Sequence, residues 1–278
     1  APAWPSYEGM LKLIGAVPVH VPVKRENYHP DMLATRAAIT SKTKAILLNS
    51  PNNPTGAVYS KEELLALGKV LIKNPHVYIL TDDIYEKIIY DNHEFTTIAS
   101  VVPELRNRTL TLNGVSKAFC MTGWRLGYCG GPKEIIAGMN KIQSQSTTST
   151  SSITMAASVE ALLGNQDFIK EHNIQFKKRR DLVVKKLNSI NGITCSVPAG
   201  AFYVYPNCAG IIGKETSNGI VINSDEQFMT YLLESEGVAG VHGGAFGLSP
   251  YFRLSYATSE KILEDACNRI AKACSDLK

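Results

Sequence analysis

Ala45-Ile-Leu-Leu-Asn-Ser-Pro-Asn-Asn-Pro-Thr-Gly56 begins as a short apolar run and breaks into turn chemistry at Ser50. Two further runs, Val77 to Thr81 and Thr109 to Asn113, follow at intervals of 32 residues. That interval suits a strand, a crossover helix and a return, so the three runs read as parallel strands of βαβ units. Between the first two, Ser60-Lys-Glu-Glu63 has the pattern of a capping box, and Leu64, Leu65, Leu67 and Leu71 form an apolar stripe behind it. A crossover helix is predicted there. Each run ends in polar or turn residues: Asn49 to Gly56, Asp82-Asp-Ile-Tyr85, and Asn113-Gly-Val-Ser-Lys117. Open parallel sheets bind ligands beyond the carboxyl ends of their strands, so these three segments are expected to converge on one site.

The 278 residues are enough for one large domain or two unequal ones, and 44% hydrophobic with 19% charged residues is ordinary globular composition. A net charge of +4 is too weak to predict nucleic-acid binding without a concentrated patch. The longest stretch without Asp, Glu, Lys or Arg, Leu187 to Gly213, contains Pro198, Pro206 and four glycines, which excludes a membrane helix. No membrane association is expected. The six cysteines show no C-x-x-C pair and no zinc-spaced histidine, so no metal site is expected. They read as free, buried thiols of a cytoplasmic protein.

Further along, residues 133 to 164 lack proline and read as a long helix entered through the Ser/Thr-rich stretch 144 to 154. A second helix is expected over 167 to 189, with Lys177-Lys-Arg-Arg180 as a solvated basic face. Strands are expected at 193 to 205, 237 to 242 and 251 to 256. A last helix from Ser259 should carry Ile262, Ala266, Ile270, Ala273 and Leu277 on one face. The tail from residue 165 reads as an α+β subdomain.

Familiar motifs are missing: there is no G-x-G-x-x-G, no Walker loop, no G-x-S-x-G and no H-E-x-x-H. What stands out is Gly114-Val-Ser-Lys117 followed by Thr122-Gly-Trp-Arg125-Leu-Gly127. A lysine just past a strand and an arginine bracketed by glycines suit an aldehyde cofactor bearing a phosphate. Lys117 could form a Schiff base and Arg125 could clamp the phosphate. Alone, either could equally be a surface cation. The neighbours favour a site: Asp82 at a strand end can pair with a protonated pyridine nitrogen, and Tyr85 and Asn53 can bond a phenolic oxygen. Trp4 offers a stacking face. Arg253 sits mid-strand among apolar residues, where a ligand carboxylate is its natural partner.

The segments 49–56, 81–86, 116–128, 198–203 and 252–258, in that order, resemble the class I pyridoxal-phosphate aminotransferases of fold type I, closest to the bacterial aspartate aminotransferase subgroup. The resemblance implies an α/β fold: a mainly parallel large domain with its interdomain helix over 1–164, incomplete at its N-terminus, and a C-terminal α+β small domain over 165–278. It implies pyridoxal 5′-phosphate as cofactor and Lys117 as the Schiff-base lysine. Asp82 would be the pyridine partner, Asn53 and Tyr85 the phenolate partners, Ser116 and Arg125 phosphate ligands, Trp4 the stacking ring, and Arg253, with Asn53 and Trp4, the substrate site. Transfer of an amino group between an L-amino acid, aspartate or glutamate, and a 2-oxo acid in a cytoplasmic homodimer is the implied activity. A lyase or decarboxylase of the same fold, and a non-catalytic ligand-sensing domain, stay open as alternatives. Family members also carry a front portion with a glycine-containing phosphate loop, and one of its strands is expected to lie inside the sheet. Without it, unpaired ladders are expected.

Overall fold

The computed structural model describes residues 1–278. In chain order the helices are α1 (Pro5–Leu13), α2 (Met32–Ala38), α3 (Lys61–Ile72), α4 (Ile98–Val101), α5 (Lys133–Ser144), α6 (Ser152–Leu163), α7 (Asp167–Asn188), α8 (Asp225–Glu236) and α9 (Glu260–Ser275). The strands are β1 (Ala45–Asn49), β2 (Tyr78–Asp82), β3 (Thr109–Gly114), β4 (Gly127–Gly130), β5 (Tyr203–Val204), β6 (Val241–His242) and β7 (Phe252–Ser255). The chain forms two compact units. One comprises Ala1–His29, Asn52–Ala57 and Ile174–Lys278, the other Pro30–Pro51 and Val58–Asn173. The expected division at 164/165 follows chain order alone, whereas the compact units group 1–29 and 52–57 with the C-terminal residues. No helix is long and apolar enough to cross a membrane.

In the second unit, β1, β2 and β3 are parallel and adjacent, with β4 antiparallel on β3. β1 and β4 are the outer strands of this four-stranded sheet. Asn49 pairs with Asp82 and Asp82 with Leu112. The carboxyl ends of three strands therefore lie along one edge of the sheet. The β1–β2 crossover runs through α3, whose capping box is formed: Glu63 N–H donates to Ser60 Oγ at 3.2 Å and Ser60 N–H to Glu63 Oε2 at 2.9 Å. Leu64, Leu67 and Leu71 are buried with Leu48, Val77, Ile79 and Leu105 in one core cluster. Removal of each such side chain from water contributes about 1.5–3 kcal/mol. Leu65 departs from the expected stripe and is exposed, because its position turns away from the Leu64–Leu67–Leu71 face.

The long helix expected over 133–164 is two helices. Residues 145–151 break it, and the hydroxyls there explain why: Ser144 Oγ donates to Lys141 O (2.9 Å), Ser146 Oγ lies 3.3 Å from both Ile142 O and Gln143 O, and Thr148 takes a left-handed φ of 62°. Such bonds compete with the helix for its own carbonyls. Cys120 is exposed and Cys129 half-buried, so the all-buried expectation holds only for Cys195, Cys208, Cys267 and Cys274.

In the first unit, β7 is the central strand of an antiparallel β5-β7-β6 sheet. The strand expected over 193–205 is ordered as a strand only at Tyr203–Val204, because Pro198 lacks an N–H donor and Ala201 sits at φ 56°. The strand expected from Gly237 starts at Val241, since Gly237 closes α8 in a left-handed conformation (φ 65°). Helix α9 begins at the Ser259 cap and buries Leu263, Cys267, Ile270, Ala273 and Cys274. Of the expected face, Ile270, Ala273 and Leu277 are buried, whereas Ile262 is exposed and Ala266 half-buried, with Leu263 and Cys267 buried beside them. The basic run on α7 is not uniformly solvated. Arg180 is 2% exposed and donates through Nη1 to Pro198 O at 3.0 Å and through Nε to Asp181 Oδ1 at 2.8 Å.

Arg108 ties α3 to the sheet in the second unit. Its guanidinium donates to Leu71 O (2.6 Å), Asn74 O (2.9 Å) and Val77 O (2.5 Å), adding to the turn bonds that Leu71 O and Asn74 O accept from Asn74 N–H and Val77 N–H. Arg108→Ala is expected to lower unfolding stability by about 2–3 kcal/mol. Chemical denaturation monitored by circular dichroism reads this directly, and an unshifted midpoint would show that water serves those carbonyls equally well.

Candidate active site

The second unit positions five of the expected site residues. Asp82 ends β2 between two paired neighbours, and its backbone carbonyl also accepts Asn49 Nδ2 at 2.8 Å. Its carboxylate Oδ1 accepts Ile84 N–H at 3.3 Å. Tyr85 follows in a tight turn in which Glu86 N–H donates to Asp83 O and Ile88 N–H to Tyr85 O, both at 2.8 Å. The Tyr85 ring is buried, at 3% exposure. Beyond β3, Ser116 and Lys117 are half-buried between the buried anchors Val115 on one side and Ala118 and Phe119 on the other. This is the expected placement for an amine held near a strand end without being sealed off.

Gly114 is required where it stands: a Cβ there would lie 2.9 Å from Leu126 O and 3.0 Å from Ile84 Cδ1. That close approach brings the Ser116–Lys117 turn alongside the segment bearing Arg125. Arg125 itself adopts a left-handed backbone (φ 55°), is exposed, and donates through Nη1 to Thr122 O at 2.8 Å. A guanidinium, a hydroxyl, an amine, a carboxylate and a phenol thus occupy neighbouring loops of one sheet. This donor set suits a phosphate-bearing, carbonyl-bearing aromatic ring.

The first unit positions the other three. Asn53 is buried within the turn Asn52–Ala57, where Asn52 Oδ1 accepts Thr55 N–H (3.2 Å) and Thr55 Oγ1 (2.9 Å). Gly56 (φ 69°) packs so closely on Pro198 Cβ and Gly200 O that no side chain fits, and Gly56 O accepts Ala199 N–H and Gly200 N–H. Arg253 on β7 is brought to Asn53, its Nη1 donating to Asn53 Oδ1 at 2.9 Å. The guanidinium carbon lies 4.6 Å from the Tyr203 ring centre and 5.1 Å from that of Phe246. Arg253 Nε is buried and has no hydrogen-bond partner. A buried, unpaired guanidinium donor is costly, and a carboxylate oxygen relieves that cost. Trp4, directly before α1, is 39% exposed and meets Tyr7 edge-on at 5.2 Å, which leaves ring surface accessible for stacking.

The family model for aminotransferase class I and II matches residues 1–270. The chain belongs to the class I and II aminotransferases. It is 54% identical to a probable aspartate/prephenate aminotransferase of Rhizobium leguminosarum bv. phaseoli, over 100% of this chain and 70% of that protein. The crystal structure of the aspartate aminotransferase from Rhizobium meliloti superposes with a TM-score of 0.97 at 51% identity, covering 100% of this chain and 70% of that one. A Thermus thermophilus aspartate aminotransferase with maleate gives 0.88 at 41% identity, covering 98% and 68%. The chain thus spans about 70% of its relatives' length. The fold is that of the fold type I enzymes and the activity is amino-group transfer. The lyase, decarboxylase and ligand-sensing readings find no counterpart among these relatives.

Three features of this aminotransferase were not legible beforehand. Asn53 and Arg253 meet directly, and the rings of Tyr203 and Phe246 both contact the guanidinium; only long-range packing reveals either. The third is Asp83, which the doublet Asp82-Asp83 signals but does not interpret. Asp83 is 2% exposed and accepts Thr81 Oγ1 at 2.5 Å. Burial pushes its carboxyl up to about 6, against the opposing pull of the Thr81 hydroxyl and with help from the Glu86 and Asp82 charges. The native state therefore keeps a proton there that the unfolded chain, at an ordinary 3.8, gives up. Stability contributed by this group is full below the unfolded value and falls as pH rises through about 6. Asp83→Asn is expected to flatten this slope and to exceed the parent in stability at neutral pH. Urea midpoints across the acid range test this, and a variant no more stable than the parent at neutral pH would show that Asp83 carries no such cost.

Proposed function

We propose that the chain binds pyridoxal 5′-phosphate and transfers the amino group of L-aspartate or L-glutamate to a 2-oxo acid. The observation that carries the cofactor assignment is the shared edge of β1, β2 and β3, where Asp82, Tyr85, Ser116 and Lys117 follow strand ends in one sheet. When bound, the cofactor supplies an aldehyde that takes up an amine and a ring that withdraws electrons from the substrate's α-carbon. With the cofactor bound, Lys117 Nζ would supply the amine for its aldehyde, and when substrate is present would take up and return the proton of the substrate's α-carbon. Asp82 holds a proton on the pyridine nitrogen. Tyr85 and Asn53 would serve the phenolic oxygen, Ser116 and Arg125 would hold the phosphate, and Trp4 would offer its face to the ring. Arg253 holds the substrate α-carboxylate with its guanidinium fork, the buried Nε providing one of the two donors.

The same reading makes the working enzyme a cytoplasmic homodimer. Six cysteines without disulfide partners suit a reducing compartment, and Leu13, Ile14 and Leu163, more than three-quarters exposed, suit coverage by further protein.

Borohydride reduction in the presence of pyridoxal phosphate, followed by peptide mapping, is expected to label Lys117, and Lys117→Ala should remove the visible absorbance. A label on another lysine refutes the assignment. Arg253→Lys is expected to raise KM for the amino donor and the 2-oxo acid by about 10- to 100-fold with cofactor affinity retained, since an ammonium cannot reproduce the planar fork. An unchanged KM would make Arg253 structural.

A further inference from the structure

The first unit contains a buried carboxylate with no place in the reaction described above. Asp225, the first residue of α8, is 3% exposed. Its Oδ2 accepts Ser249 Oγ at 2.6 Å, Tyr251 N–H at 3.1 Å and Gly244 N–H at 3.2 Å, and its Oδ1 lies 4.0 Å from His242 Nδ1. One carboxylate oxygen thus gathers both ends of the stretch from Gly244 to Tyr251.

That stretch bears on Arg253 at two points. Phe246, 2% exposed, lies in the 3-10 turn Gly243–Phe246, and its ring is one of the two that contact the Arg253 guanidinium. Tyr251 precedes Arg253 by two residues and leads into β7. Three charge-assisted bonds to a single buried atom hold a turn more tightly than neutral bonds do. A second support, Tyr205, approaches the same stretch: its hydroxyl lies 2.8 Å from Leu248 O and 3.2 Å from Gly243 O, and its ring stacks on Tyr251 at 5.1 Å. The turn is therefore retained without Asp225, while its position loses its strongest constraint.

We propose that Asp225 is a positioning residue for the substrate-carboxylate clamp, holding Phe246 and the start of β7 so that the Arg253 guanidinium stays oriented toward Asn53 and its ligand. This rests on the reading of Arg253 as that clamp. Asp225→Asn keeps one acceptor oxygen for these donors but removes its charge, so the three bonds become weaker neutral ones and the constraint loosens with minimal change in volume.

The test uses the pyridoxal-phosphate-loaded enzyme. Asp225→Asn is expected to raise KM for both the amino donor and the 2-oxo acid by about tenfold while kcat changes by less than about twofold and cofactor affinity holds. In an Arg253→Lys background the same substitution should add little to KM, because the guanidinium that it positions is gone. A purely structural role would instead lower stability and raise KM equally in both backgrounds, which would overturn the proposal. If Arg253→Lys alone leaves KM unchanged, the clamp reading fails; if Arg253→Lys raises KM and Asp225→Asn does not, the clamp stands and the role of Asp225 is refuted. Should Asp225→Asn not fold, Ser249→Ala, which removes only the 2.6 Å donor, decides: a KM rise of about two- to threefold with unchanged kcat supports the proposal, and an unchanged KM refutes it.

Discussion

The parallel register of β1, β2 and β3 is the constraint on which the rest of the second unit depends. Pairing Asn49 with Asp82 and Asp82 with Leu112 ends three strands at one edge, and it does so through backbone bonds that no side chain has to supply. The Asn49 side chain adds a bond to the Asp82 carbonyl. Asp82, Tyr85, Ser116 and Lys117 then emerge on short turns whose conformations are set by buried anchors. Slipping one strand by one residue would turn Asp82 to the opposite face and remove it from the set.

In the first unit the corresponding constraint is electrostatic. Arg253 is placed on the central strand of a small sheet and is not neutralised by any acid; an amide oxygen and two aromatic faces hold it instead. This arrangement orients the guanidinium while keeping its charge available, whereas a salt bridge would cancel it. The buried Nε without a partner is the residue of that compromise, and it marks where an anion is stabilising. Asp225, by contrast, has its buried charge satisfied by donors from the adjoining turn.

Local signals in the chain were legible wherever a single element decides its own conformation. The capping box at Ser60 and Glu63, the Ser259 cap of α9 and the three apolar runs all became the elements that they announced. Signals failed where the deciding partner is remote or the pattern has two outcomes. The Ser/Thr-rich segment 145–151 breaks a helix because its hydroxyls compete for carbonyls, although its length and lack of proline read as helix. Arg180 in a basic run is buried because Pro198 offers it a carbonyl.

The order of turn motifs along the chain, with Lys117, Asp82, Tyr85 and Arg125 at set positions relative to apolar runs, was enough by itself to determine the α/β class, the family and a candidate residue for each task. Those motifs are local, and their chemistry depends on residue type and spacing. Only the tertiary structure decided that Asn53 meets Arg253, that the Tyr203 and Phe246 rings contact the guanidinium, that Asp83 rather than Asp82 is the sealed carboxyl, and that Asp225 holds a turn near β7. Each of these depends on burial or on contact between residues far apart in sequence, and neither quantity is a property of a residue's neighbours along the chain.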